Sequence, residues 1–408
     1  MKDNPPLMNI EQDNMNHPNP FRPGAGHSPP YLSGRTSEVQ EFTRLLAQDI
    51  ILENMVVTGL RGLGKTVLLE SLKPLAIETD WFWAGTDLSE ASSLTEHNLA
   101  IRIITDLSIV TSNIIIQREQ IQEIGFLGKL NEKKQSLDYE VLMTVYETTP
   151  GLTADKLKAT LEFAAKYVAF VRKRGVVFAY DEAQNLADQS GSGEYPLSLL
   201  LDVFQSLQRK EIPFMLVLSG LPTLYPKLVE SRTYAERMFR VLPLDRLDKP
   251  DTELAIKKPL EQIEKQGLFT TKDIDTITSN SGGYPYFVQF ICREAYDVFE
   301  QHPNAEINFM DQIVLKLDND FFMARWSKLS DRQQDILTVF ASLGEGEFEC
   351  AVADLVKKSE IILDKGFSAP QINQLLSLLS EQGLVYKTRH GKYSFAIPLF
   401  GGFINRRH

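Results

Sequence analysis

Apolar and polar residues alternate along this chain with two different periods. After about residue 30, Val39, Phe42, Leu45 and Leu46 recur at helical spacing, with Ser37 and Gln40 suggesting a capping box at the start. Met55-Val56-Val57-Thr58 is a short apolar run and reads as a buried strand, followed by a helix in VLLESL. Asp80 to Asp87 reads as a second strand, and Leu94 to about Ile109 as a helix. A longer helix runs from about Thr153 to Lys173 with Leu157, Leu161, Ala164 and Val168 on one face. VVFAY, from Val176, is another buried strand. Leu197, Leu200, Phe204 and Leu207 then mark a helix, and FMLVLS after Pro213 a further strand. Strands alternating with helices predict a parallel α/β sheet.

The pattern breaks in three places. Residues 1–30 are rich in Pro, Asn and Gly and poor in aliphatics, so an extended arm is expected. Residues 117–150 are charged and weakly periodic and read as an insertion. From about Leu247 strand signals stop, and 247–325 reads as helices broken at Gly267 and at Ser281-Gly282-Gly283-Tyr284-Pro285. The remainder, 326–408, changes again. Ser330 with Gln333 caps one helix, Ala351 to Lys358 form a second, and Ser368 with Gln371 caps a third. Leu384 to Lys387 and Lys392 to Phe395 then form a hairpin. Three helices and a hairpin predict a winged helix. The expected layout is an arm (1–30), a core (31–246), a helical lid (247–325) and a winged helix (326–408).

The chemistry concentrates in GLRGLGKT, residues 59–66, which fits G-x-x-x-x-G-K-[ST] between a strand and a helix. Gly59, Gly62 and Gly64 let the backbone turn its N–H groups inward around phosphate oxygens. Lys65 reaches the terminal phosphates and the Thr66 hydroxyl serves Mg²⁺. Asp181 and Glu182 end a buried strand. Asp181 is expected to hold Mg²⁺ opposite Thr66, and Glu182 to orient the attacking water. Ser219 closes the next strand, either as a contact to the γ-phosphate or as a turn former. Of Arg232, Arg237 and Arg240, Arg237 is the first choice for a finger reaching a neighbouring subunit's nucleotide. The alternative for each of the three is a surface ion pair.

Bulk composition narrows the choices. Forty-three Lys and Arg against 54 Asp and Glu give a net charge of −11, which argues against a protein coated in nucleic acid. Cys292 and Cys350 lie far apart and form no C-x-x-C pattern, so both read as small buried hydrophobes in a reducing cytoplasm. No apolar run is long enough to span a membrane, and the first residues lack a signal-peptide core.

In order, Gly34-Arg35, the P-loop, a strand ending in Asp-Glu, a strand ending in Ser, a lid with GGYP and a winged helix resemble the AAA+-related STAND and archaeal origin-recognition ATPases. Asn19-Pro20-Phe21 and Pro23 to Gly26 are most similar to a prokaryotic group of ATP-binding proteins with an NPF-x-PGAG segment. The resemblance implies a P-loop ATPase of the ASCE/AAA+ type that turns over ATP slowly as a switch. It implies that Tyr31, Leu32 and Arg35 contact the adenine and that Pro285 sits against the nucleotide. AAA+ lids also carry a sensor arginine, whereas GGYPYFVQF offers none before Arg293.

A winged helix raises the alternative of a DNA-binding initiator. Its recognition helix, residues 369–382, has no Arg or Lys and one acid, Glu381, and offers Gln371, Asn373, Gln374 and Ser377. The hairpin has Lys387, Arg389, His390 and Lys392, with Arg406 and Arg407 at the tail, enough for weak DNA binding. The other expectation is a winged helix that packs on the ATPase core and passes its state to a protein partner or a second copy.

Overall fold

The computed structural model describes residues 18–407 apart from 25, 49, 86, 90–94, 123–129, 303–308, 345–347 and 390. Residues 1–17 of the arm, His390 and the centre of the 117–150 segment therefore lie outside the described residues.

Helix α1 (Thr36–Leu46) buries Phe42, Leu45 and Leu46. It begins one residue earlier than expected, and the Ser37–Gln40 capping box does not form. Arg35 occupies the N-cap position without a side-chain cap, and Ser37 Oγ bonds Glu38 instead. Helix entry is fixed by Arg35, whose guanidinium donates to the carbonyls of Leu63 and Asp245. Strand β1 (Asn54–Thr58) is buried along its whole length. Helix α2 (Lys65–Glu78), strand β2 (Trp81–Ala84) and helix α3 (Glu96–Thr111) follow.

The charged insertion contains secondary structure on either side of residues 123–129. Strands β3 (Ile115–Gln122) and β4 (Leu130–Ser136) pair antiparallel, and helix α4 (Tyr139–Thr148) follows. The sequence of this two-stranded ribbon lacks the apolar alternation that would reveal it. Helix α5 (Thr153–Phe170), strand β5 (Gly175–Tyr180), helix α6 (Pro196–Arg209) and strand β6 (Phe214–Gly220) fall where the pattern put them.

Two short helices, α7 (Leu224–Ser231) and α8 (Ala235–Met238), lead to strand β7 (Phe239–Pro243). The apolar pattern missed this strand because it is a short edge strand, with only Phe239 buried. The sheet is parallel, in the order β2-β5-β6-β1-β7. β1 lies inside it, and its C-terminal end delivers the P-loop between β6 and β7. Both faces are covered. Met55 and Val57 face one hydrophobic core and Val56 the other, which explains why β1 is a continuous apolar run rather than an alternating one.

The lid comprises α9 (Lys249–Gln262), α10 (Thr271–Ser281), α11 (Pro285–Gln301) and α12 (Phe309–Leu317). A π-helical turn at Asp318–Phe322 and a short helix α13 (Met323–Trp326) join it to the winged helix. That module contains α14 (Asp331–Ala341), a two-residue strand β8 (Cys350–Ala351), α15 (Val352–Ile362), α16 (Ala369–Glu381), β9 (Val385–Arg389), β10 (Lys392–Phe395) and α17 (Phe400–Arg407). The two capping boxes expected here, Ser330 with Gln333 and Ser368 with Gln371, are both formed. Helix α15 runs four residues past Lys358. One apolar cluster runs from α1 and α2 through the lid into the winged helix, so the C-terminal module is packed onto the rest. Cys292 and Cys350 are both free and buried. No described helix is long and apolar enough to cross a membrane.

Candidate functional site

The P-loop needs a left-handed backbone at two positions. Gly62 has φ +83° and Gly64 φ +84°, and a side chain at either would be strained. Gly59 is in an ordinary conformation; its place is fixed by packing, since a Cβ there would approach the Leu244 carbonyl to 3.1 Å. Gly64 is the N-cap of α2, so the loop opens at a helix N-terminus.

Lys65 is 7% exposed. Its Nζ donates to the carbonyls of Gly59 at 2.8 Å and Leu60 at 3.0 Å. Burial holds its pKa below the ordinary lysine value, partly offset by the nearby carboxylates of Asp181 and Glu182. A buried ammonium with two carbonyls and no ion-pair partner within hydrogen-bonding reach is incomplete, and an anion in the loop would complete it.

Thr66 Oγ1 donates to Asp181 Oδ2, bringing the end of β5 against the start of α2. A hydroxyl and a carboxylate at one point are oxygen donors of the kind a hard divalent cation takes. Among the described residues there is no group of three His, Cys, Asp or Glu that could hold a metal, so these two suit an ion completed by phosphate and water rather than a protein cage. Asp87, bridged to Asp181 at the same sheet edge, adds a third acid to the neighbourhood. Burial, then Asp181 and Glu182, raise its pKa.

Glu182 has φ +52°, uncommon for a residue with a side chain, and lines the cavity described next. Its carboxylate accepts from Gln184 Nε2. Gln184 in turn accepts from Leu221 N at 3.0 Å, and its carbonyl accepts from Lys227 Nζ at 3.0 Å. Ser219 lies outside the cavity lining. Its Oγ is fully buried with no hydrogen-bond partner.

A cavity of about 440 Å³ opens at the P-loop, a size suited to a nucleotide. Four parts of the chain wall it. The arm contributes Arg22 and His27; the core, Tyr31 and Leu32 beside the P-loop; the lid, Pro285 and Tyr286; the winged helix, Ile397 and Pro398. Tyr31, Leu32, Arg35 and Pro285 thus line one cavity. Arg35 is nonetheless 6% exposed and occupied, with its guanidinium on Leu63 O, Asp245 O and Gly34 O and beside Glu38. These contacts tie the start of α1 to the P-loop and to the segment after β7.

The described end of the arm is docked on the lid. Phe21 is buried and stacked on Phe269, Asn19 Nδ2 donates to Arg293 O and Asp297 Oδ1, and Arg22 N donates to Gln289 Oε1. The lid is tied directly to the P-loop through Tyr286 N, which donates to Gly62 O at 3.1 Å.

The three candidate finger arginines separate cleanly. Arg232 forms a two-bonded pair with Asp202 (2.9 and 2.8 Å), and Arg240 pairs with Glu41 at 2.7 Å. Arg237 is exposed, with no ion pair among the described residues. It precedes β7, at the opposite end of the sheet from the P-loop, and so is placed away from its own cavity.

Sequence reasoning missed Arg61 and Arg325, which also line the cavity. Arg61 is inside the P-loop motif but at a position the motif leaves free. Arg325 is some 260 residues away in a segment without a motif, and only folding brings it in. On the winged helix, Glu349 holds Arg389 at 2.7 Å and Lys392 at 3.9 Å, and Arg406 is paired with Asp318. Of the wing cations only Lys387 is exposed without an ion pair among the described residues.

Set against solved structures, the chain is similar to the Aeropyrum pernix ORC2 protein. The likeness to its ADPNP–ADP complexes has 13% identity, covers 94% of this chain and 97% of that one, and has a TM-score of 0.54. The ADP form gives 14% identity, the same coverage and 0.52. The chain shares the fold of that protein. At such low identity the likeness is one of fold: parallel α/β core, helical lid and C-terminal winged helix. The Aeropyrum pernix ORC1 protein in complex with DNA is more distant, at 13% identity over 92% of this chain and 93% of that one, with a TM-score of 0.46. A domain of unknown function (DUF8462) matches residues 319–404, the π-helical turn and the winged helix. No curated protein matches the sequence.

Proposed function

We propose that this protein is an ATP-operated switch in which nucleotide state sets the position of the lid and winged helix. The observation that carries this reading is the construction of the cavity. A wall drawn from arm, P-loop, lid and winged helix makes the site sensitive to how all four are placed. A ligand that fills it binds the closed arrangement better than the open one, which is the requirement for a population shift.

In this reading the N–H groups of Gly62 to Thr66 and the Lys65 ammonium hold the phosphates, and Thr66 with Asp181 holds Mg²⁺. The metal, when bound, neutralises charge on the phosphates. Glu182 orients a water for attack, positioned through Gln184. Tyr31, Leu32 and Pro285 cover the base. Ser219 supplies a buried hydroxyl at the end of β6, and Arg237 acts in trans on a second copy. Turnover is slow, because Glu182 is already engaged by Gln184 and must be released to take a proton. The output is a protein partner or self-association. DNA contact is the weaker reading, since Glu349 neutralises two of the wing's cations.

Glu182→Gln tests the site. It should bind ATP with unchanged affinity and lose turnover by about 10²- to 10⁴-fold. Normal turnover in this variant would remove Glu182 from the chemistry. Scattering profiles identical with ADP and with a nonhydrolysable ATP analogue would remove the switch.

A further inference from the structure

The winged helix meets the P-loop at a cavity wall that carries two arginines, Arg61 and Arg325; Glu182 also lines that cavity. Arg325 is half-buried, its guanidinium 4.2 Å from the centre of the Phe321 ring and donating to Phe321 O. Arg61, on the P-loop, lines the same cavity and lies against the winged helix: a side chain at Gly383 would come within 3.0 Å of its Nη2. Neither arginine has an ion pair among the described residues. Burial and the nearby Arg61 both lower the Arg325 pKa, in keeping with an uncompensated pair.

Arg325 is also mechanically part of the winged helix. Phe322 packs on Phe400 and Phe403, Trp326 on the same two rings, and Arg406 grips Asp318 through two bonds. The π-helical turn that carries Phe321 and Phe322 is thus clamped to α17. Such turns are uncommon and occur often at functional sites. Moving the winged helix moves Arg325.

We infer that Arg61 and Arg325 form an anion-dependent latch between the P-loop and the winged helix, closed by the terminal phosphates of a nucleotide. Without an anion, like charges in a partly desolvated cavity repel and favour an undocked winged helix. A polyphosphate between them turns the repulsion into two charge-assisted contacts. The inference rests on the switch reading for its ligand but not for its electrostatics, so the two can fail separately.

The test is a charge reversal in the full chain. Arg61→Glu places a carboxylate opposite Arg325 and replaces the anion with a direct ion pair. Amide exchange over 383–398 reads docking, with and without inorganic triphosphate and with ADP or a nonhydrolysable ATP analogue. In the wild type, triphosphate alone should slow exchange on the order of tenfold or more. Arg61→Glu should be protected without any anion and gain nothing from triphosphate. Arg61→Glu with Arg325→Glu should lose that protection, which separates a latch from a general effect on folding. The latch is overturned if Arg61→Glu without anion exchanges as fast as the wild type, or if triphosphate leaves the wild type unchanged. Should the wild type bind no nucleotide at all, the switch reading fails while the anion-free comparison still decides the latch.

Discussion

Phe21→Ala tests whether the N-terminal arm is a working wall of the site. Phe21 is 2% exposed and stacked on Phe269 at 6.2 Å between ring centres. Removing the ring forfeits about 2–3 kcal/mol of transfer free energy, and the void left behind raises the cost of such substitutions to about 3–5 kcal/mol. What still ties the segment to α11 is three hydrogen bonds, two from Asn19 and one from Arg22 N. Each is worth about 1 kcal/mol net, against an ordering cost of about 1 kcal/mol for every arm residue held in place. Those bonds cannot hold the arm alone. Because it lies over the lid rather than inside a sheet, the loss should appear as local release, not global unfolding. A cost of about 3 kcal/mol corresponds to roughly 150-fold in the docking equilibrium. ATP affinity, which depends on the docked fraction, should fall by about 10- to 100-fold. Titration calorimetry measures the affinity, and amide exchange over Pro285–Gln301 reports whether the arm has left the lid. Phe21→Leu, keeping most of the apolar volume, should retain most of the binding. Unchanged ATP affinity in Phe21→Ala, with exchange showing the arm released, would refute the reasoning.

Lys65 gives a pH signature. Its pKa in the free protein is lowered by burial, and phosphate favours the charged form, so binding raises it. Nucleotide affinity should therefore be flat below the lowered pKa and weaken above it, by up to about tenfold per pH unit. Calorimetry across the alkaline range checks this, and a fall starting only at the ordinary lysine value would contradict it. Arg232→Ala should cost about 0.5–1 kcal/mol, since both partners of its pair with Asp202 are partly exposed, and leave turnover unchanged. Arg237→Ala should spare ATP binding and lower turnover only at concentrations where copies associate; equal loss in dilute monomer would rule out a role in trans. Glu349→Gln frees Arg389 and Lys392, and should give salt-sensitive DNA retention that the wild type lacks if the wing has any affinity for phosphate backbones. No gain in filter binding would remove the wing as a DNA contact.

Local order was legible in the chain wherever one stretch carries its own physical reason. Buried strands such as Met55–Thr58 and Phe214–Ser219 are apolar throughout because both sheet faces are covered. Gly62 and Gly64 of the P-loop are required by a left-handed backbone, and the two capping boxes by unpaired N–H groups at helix starts. β3 and β4, polar along most of their length, and the edge strand β7 left no such mark. The structure alone decided what depends on distant segments meeting. It spent Arg35 on backbone carbonyls, paired Arg232 and Arg240 with acids from other elements, and gave two of the wing cations to Glu349. Above all it carried Arg325 and Pro398 to a loop hundreds of residues away. Lys65 and Thr66 announce a phosphate site because chemistry needs them in sequence; Arg61 and Arg325 face one cavity only because the winged helix packs where it does.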